Sequence, residues 1–156
     1  MRAGTENVPY IVGFGKAVEL VGEMREREAA RIGKLRDYFW QEIKQKINPH
    51  LNPPPGIRGR KGGAELNGSL QHRLPNNLHI YFPGHKAQDL LIALDLKGVA
   101  ASAGAACSMH SAEPSKVIMA LGHSRERALS SIRFSLGRAT IKKDIDDVLE
   151  FLIKCI

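Results

Sequence analysis

The first long stretch of the chain repeats its apolar positions at helical spacing. Ile32, Leu35, Phe39 and Ile43 stand three, four and four apart and form one stripe, while Glu23, Glu26, Arg27 and Lys34 fall largely off it. This predicts a long helix from Val12 to about Ile47, or two helices joined near Gly22, ended by Asn48-Pro49 because proline cannot continue it. Residues 49–73 lose all periodicity. With Pro53-Pro54-Pro55-Gly56, Gly59, Gly62-Gly63 and Gly68 they read as an irregular connector. The period then falls to two: Leu78, Ile80 and Phe82 alternate with His79 and Tyr81, a half-buried strand stopped by Pro83-Gly84.

Beyond that turn, Lys86 to Leu96 reads as a short amphipathic helix with Leu90, Leu91 and Leu94 inward, and Gly98 opens a second strand, Val99 to Ser102. A loop of small residues, Ala103 to Glu113, follows; Pro114 suits the first turn of a helix reaching about Leu121, and Ser124 can cap the next. Ser131 to Leu136 is a third strand, with Ile132, Phe134 and Leu136 on one face and Arg133 and Ser135 on the other. Thr140 is placed to cap a last helix striped by Ile145, Val148, Leu149 and Leu152. The expected fold class is α+β, about three strands covered by helices and preceded by a long helix, in a single domain over 1–156.

Composition narrows the function. The 156 residues carry 23 basic and 16 acidic side chains, a net charge of +7, and 43% of them are hydrophobic, enough for a core and too many for a disordered chain. Most bases are interleaved with acids, as in Glu23-Met24-Arg25-Glu26-Arg27-Glu28, and Arg58-Gly59-Arg60-Lys61 is the exception. Aromatics are only 6% and do not alternate with the bases, so no nucleic-acid partner is expected. Two cysteines cannot build a disulfide framework and point to a reducing compartment. No apolar run approaches the ~18 residues of a membrane span, and the N-terminus lacks a signal-peptide layout. A cytoplasmic protein is expected, or a mitochondrial one if the source is eukaryotic.

Two residues stand out chemically. Cys107 sits among small residues, Ala103-Gly104-Ala105-Ala106 before it and Ser108-Met109-His110-Ser111 after it, where a thiol can meet a substrate; a buried, inert cysteine is the alternative. Arg133 is turned away from Ile132 and Phe134 and offers a fork that binds a carboxylate through two bonds; a surface arginine is the alternative. Cys107, His110 and His123 fall short of the four ligands of a closed zinc site, so no metal is expected. Gly84-His85-Lys86 lies at a turn opening a helix, and Cys155 reads as filler near a helix end.

In order along the chain, Arg2-Ala3-Gly4-Thr5-Glu6-Asn7 with Ile11-Val12-Gly13, Arg73-Leu74-Pro75-Asn76-Asn77, Ser102-Ala103-Gly104-Ala105-Ala106-Cys107, Glu113-Pro114-Ser115 and Ser131-Ile132-Arg133-Phe134-Ser135-Leu136-Gly137-Arg138 resemble the C-terminal part of a cysteine desulfurase. That family belongs to the pyridoxal-phosphate-dependent class V aminotransferases, and the resemblance implies the small C-terminal domain of a fold-type I enzyme. It implies that Cys107 attacks the sulfur of L-cysteine to leave alanine and a persulfide, that Arg133 holds the substrate carboxylate, and that Thr5 reaches the cofactor phosphate of the neighbouring subunit in a homodimer. The persulfide would pass to a sulfur-acceptor scaffold protein, as in iron–sulfur cluster assembly. Ala105 stands where the family usually has serine, and Gly104-Ala105-Ala106-Cys107 also resembles selenocysteine lyases. The cofactor lysine belongs to a preceding large domain that is expected to be absent here. The chain is then a portion completed by a separate N-terminal half, or a cofactor-free domain that binds sulfur-transfer partners.

Overall fold

In the computed structural model, residues 4–47, 63–104 and 113–156 are described. The long helix α1 spans Val8–Ile47, without a break at Gly22. It starts four residues before the expected Val12. The Asn7 side chain accepts from the Tyr10 amide (3.3 Å) and caps the first turn, where Pro9 removes no bond the helix needs. Lys44 and Lys46 in the last turn complement the helix dipole. Only the C-terminal half is buried, through Ile32, Phe39, Trp40 and Ile43, with Leu35 partly covered. Over the first half, Val8, Tyr10, Ile11, Val12, Phe14, Val18, Leu20 and Val21 stay exposed.

The sheet is antiparallel in the order β1 (Glu65–Leu66), β2 (Asn77–Tyr81), β3 (Ser131–Ser135). Register pairs Leu66 with Ile80, Leu78 with Phe134, His79 with Arg133, and Ile80 with Ile132. The apolar face of β2 and β3 packs with α1, with α2 (Ala87–Asp95) through Leu90 and Leu94, and with α5 (Lys142–Cys155) through Ile145, Leu149 and Leu152. Phe39 meets Phe134 edge-on with ring centroids 5.1 Å apart, a favoured aromatic geometry. Two short helices, α3 (Lys116–Ala120) and α4 (Arg125–Leu129), lead into β3. The Ser124 hydroxyl caps α4 by accepting from the Arg127 amide, as expected.

Three expectations need correction. Of the connector expected at 49–73, residues 49–62 lie outside the described residues, and in the remainder Ala64 and Asn67 are buried and Glu65–Leu66 is a strand, too short to show alternation. Residues 69–77 are then tied down by Arg73, which donates to the carbonyls of Ser69, Asn77 and Asn67. The strand expected at Val99–Ser102 reduces to one bridge, Ser102 to Arg133, because the chain comes out of a left-handed turn at Gly98 (φ 75°) and aligns with β3 only at its end. Thr140 does not cap α5. Its hydroxyl accepts from the Gly137 amide (2.9 Å), and Asp144 reaches back to the Ile141 amide (2.9 Å) instead.

Candidate functional site

The face of the sheet opposite the core carries His79 and Tyr81 from β2 and Ser131 and Arg133 from β3. Main-chain bonding decides how closely two of these approach. The His79 carbonyl accepts from Asn67 on the β1 side (2.9 Å), while Arg133 exchanges both its bonds with Ser102 on the other edge (2.6 and 3.2 Å). His79 and Arg133 are therefore a non-hydrogen-bonded pair, the kind whose side chains stand nearest.

A buried polar network holds one of the two. Asn67 is 3% exposed, and its side-chain oxygen accepts from Arg127 Nε (2.7 Å). A guanidinium only donates, so the Asn67 nitrogen must be the atom facing Ser131 Oγ and His79 Nδ1, both at 2.9 Å. Ser131 gives its own proton to the Arg127 carbonyl (2.6 Å). Arg127 is anchored in turn by Glu65 (2.6 Å) and the Leu66 carbonyl (3.1 Å), and lies 4.8 Å over the Tyr81 ring. His79 Nδ1 is thus an acceptor, and the ring is neutral with its proton on Nε2. Burial first, then the charges of Arg133 and Arg73, push the His79 pKa down to about 4, which keeps it neutral at physiological pH.

Arg133 is half-buried and differently placed. Its Nε is enclosed with no hydrogen-bond partner, and among the described residues no carboxylate or carbonyl pairs with its guanidinium. An arginine whose donors are left open in a partly dry site has the chemistry to take a planar anion. The described residues do not gather the other expected residues around it. Cys107 and His110 lie outside the described residues. The chain leading to them, Ser102 to Gly104, is bridged to Arg133, and Gly104 packs near Ser115 (3.6 Å from the position of an added Cβ) on the far side of that loop. Thr5 is exposed beside α1, in an open concavity lined by Gly4, Glu6, Asn7, Tyr10, Ile11 and Phe14, with no residue of the sheet. One hydroxyl there can add a bond to a phosphate but cannot enclose it. His123 joins no metal-binding cluster among the described residues, and Cys155 is a free thiol packed at the edge of the core.

Residue patterning alone did not bring out His79, Asn67 or Arg127. His79 was legible as an outward strand position, but its partner follows only from the β2–β3 register.

Comparison with known proteins gives the family. The aminotransferase class-V family model matches residues 1–148. A protein of Dictyoglomus turgidum described as cysteine desulfurase IscS is 42% identical over 98% of this chain and 36% of its own length. Its counterpart in Archaeoglobus fulgidus, cysteine desulfurase IscS 1, is 36% identical over 97% of this chain and 36% of its own. The chain thus spans about a third of these relatives. Among solved structures, a NifS-like protein superimposes over 99% of this chain and 35% of its own with a TM-score of 0.76 at 26% identity. The NifS-like protein of Rickettsia africae does so over 99% and 37% with a TM-score of 0.71 at 28% identity.

Proposed function

The chain belongs to the aminotransferase class-V family, and from that premise we propose that it is the C-terminal part of a cysteine desulfurase. The complete enzyme removes sulfur from L-cysteine and leaves alanine and a persulfide on Cys107. In that reading the large domain, with the cofactor lysine, is supplied from outside these 156 residues, as a separate N-terminal half or as the rest of a longer chain. Pyridoxal phosphate, when bound, supplies the electron sink that loosens the bonds around the substrate's α-carbon. The Cys107 thiolate attacks the substrate sulfur; an S–S bond forms, the C–S bond breaks, and the carbon left behind takes up a proton to become alanine. Arg133 grips the carboxylate, and Thr5 adds its hydroxyl to the cofactor phosphate across a homodimer. The persulfide sulfur then passes to an acceptor scaffold for iron–sulfur cluster assembly, in the cytoplasm.

The observation that carries this reading is the enclosed Nε of Arg133, without a hydrogen-bond partner among the described residues, beside the chain that leads to Cys107. It is tested in the holoenzyme loaded with pyridoxal phosphate. Cys107→Ser should abolish persulfide formation and sulfide release, while Cys155→Ser leaves both intact. Arg133→Ala should raise the apparent KM for cysteine roughly ten- to a hundredfold, with partial recovery in Arg133→Lys, whose ammonium lacks the fork. Full sulfide release by Cys107→Ser, or an unchanged KM in Arg133→Ala, overturns the corresponding role.

A further inference from the structure

The register sets His79 against Arg133 as a close pair, and the direction of every bond around Asn67 puts the His79 proton on Nε2. Among the described residues Nε2 has no hydrogen-bond partner, and it is not one of the enclosed unpaired atoms, a group that holds only Arg133 Nε. The groups left open at this pair are therefore donors, the guanidinium and the imidazole N–H, while the neighbouring acceptors His79 Nδ1 and Ser131 Oγ are taken by Asn67. A rigid donor pair of this kind is completed by a ligand that only accepts. Because the histidine is neutral, the pair carries a single positive charge, which matches one carboxylate.

Resting on the reading of Arg133 as a carboxylate clamp, we infer that His79 is a second substrate-contacting residue, whose Nε2–H donates to the same carboxylate and fixes its orientation. Asn67, Ser131 and Arg127 are the positioning residues behind it: they hold the ring plane and its tautomer. This division of labour explains why a polar network is buried on the outer face of a sheet whose core lies on the other side. With its charge on Arg133 and its direction on His79, the site selects α-carboxylates over amines of equal size.

The test uses the 156-residue chain with ¹⁵N-labelled imidazoles, L-alanine as the carboxylate probe and ethylamine as the analogue without one. L-Alanine should shift the His79 Nε2–H signal and leave Nδ1 a proton-free acceptor; ethylamine should move neither. His79→Leu should weaken L-alanine binding about tenfold or more, the worth of one bond to a charged acceptor. His79→Gln, whose terminal N–H extends to nearly the same place, should recover most of it. If His79→Leu fails to fold, the imidazole signals of the unaltered chain still decide. A probe that moves the Arg133 side-chain signals but not His79 Nε2–H overturns the role of His79 and spares that of Arg133. L-Alanine affinity unchanged by Arg133→Ala overturns the clamp, and with it the inference that depends on it.

Discussion

A single histidine shows how far one residue's environment reaches. His79 titrates near pH 4 in the fold and near its ordinary value of about 6.5 in the open chain, so between those values the unfolded state binds the extra proton. Its contribution to stability is therefore complete above pH 6.5 and is lost as pH falls through 4. The loss is roughly 3 kcal/mol at most by linkage. Urea midpoints at pH 7 and pH 4.5 check this: the difference between them should shrink in His79→Gln, and an equal difference in both chains would remove the histidine from the acid response. The same residue marks what patterning can convey. Alternation turned Arg133 away from the core and placed His79 outward on its own strand. Their pairing is a property of two strands 50 residues apart in the chain, which local spacing does not encode. Asn67 is harder still, a polar residue in a glycine-rich stretch whose burial follows from β1 and from Arg127 closing over it.

Among the elements, α1 is two helices in energy although one in geometry. Phe39 is 2% exposed and wedged edge-on against Phe134, while Val12 faces solvent on the same helix. Phe39→Ala should cost about 3–5 kcal/mol, the loss of a buried aromatic plus its cavity, and Val12→Ala should stay within about 0.5 kcal/mol. Denaturant midpoints measure both, and comparable losses at the two positions would mean that the first half is packed after all. The stripe Ile32–Leu35–Phe39–Ile43 was readable because burial repeats with the helical period, and so was that of α5. Trp40 was not, since it lies one position off the stripe and is covered from the side. The bridge at Ser102 and the two-residue β1 are legible only in three dimensions, being too short for any period to show. Thr140 is the converse: a good capping residue whose hydroxyl was taken by Gly137, leaving the cap to Asp144.

Over the whole molecule, protection from exchange should follow the core rather than the secondary structure. In the isolated chain, backbone amides from residue 12 to 22 should exchange at least about a hundredfold faster than those from 35 to 46, because a helical half with no tertiary cover is marginal in water. Hydrogen exchange read by mass spectrometry decides it, and uniform protection along α1 would refute the division. No helix among the described residues is long and apolar enough to cross a membrane. The length of that half has a mechanical meaning. Ile32, its first buried residue, and Val8 are 24 positions apart, about 36 Å of helix, and Thr5 lies beyond. Over such a lever arm a tilt of 1° at the clamped end displaces the tip by about 0.6 Å, already past the ~0.5 Å tolerance of a working contact. In the role proposed for Thr5, its hydroxyl is therefore aimed not by the core of this chain but by whatever surface comes to rest along the beam.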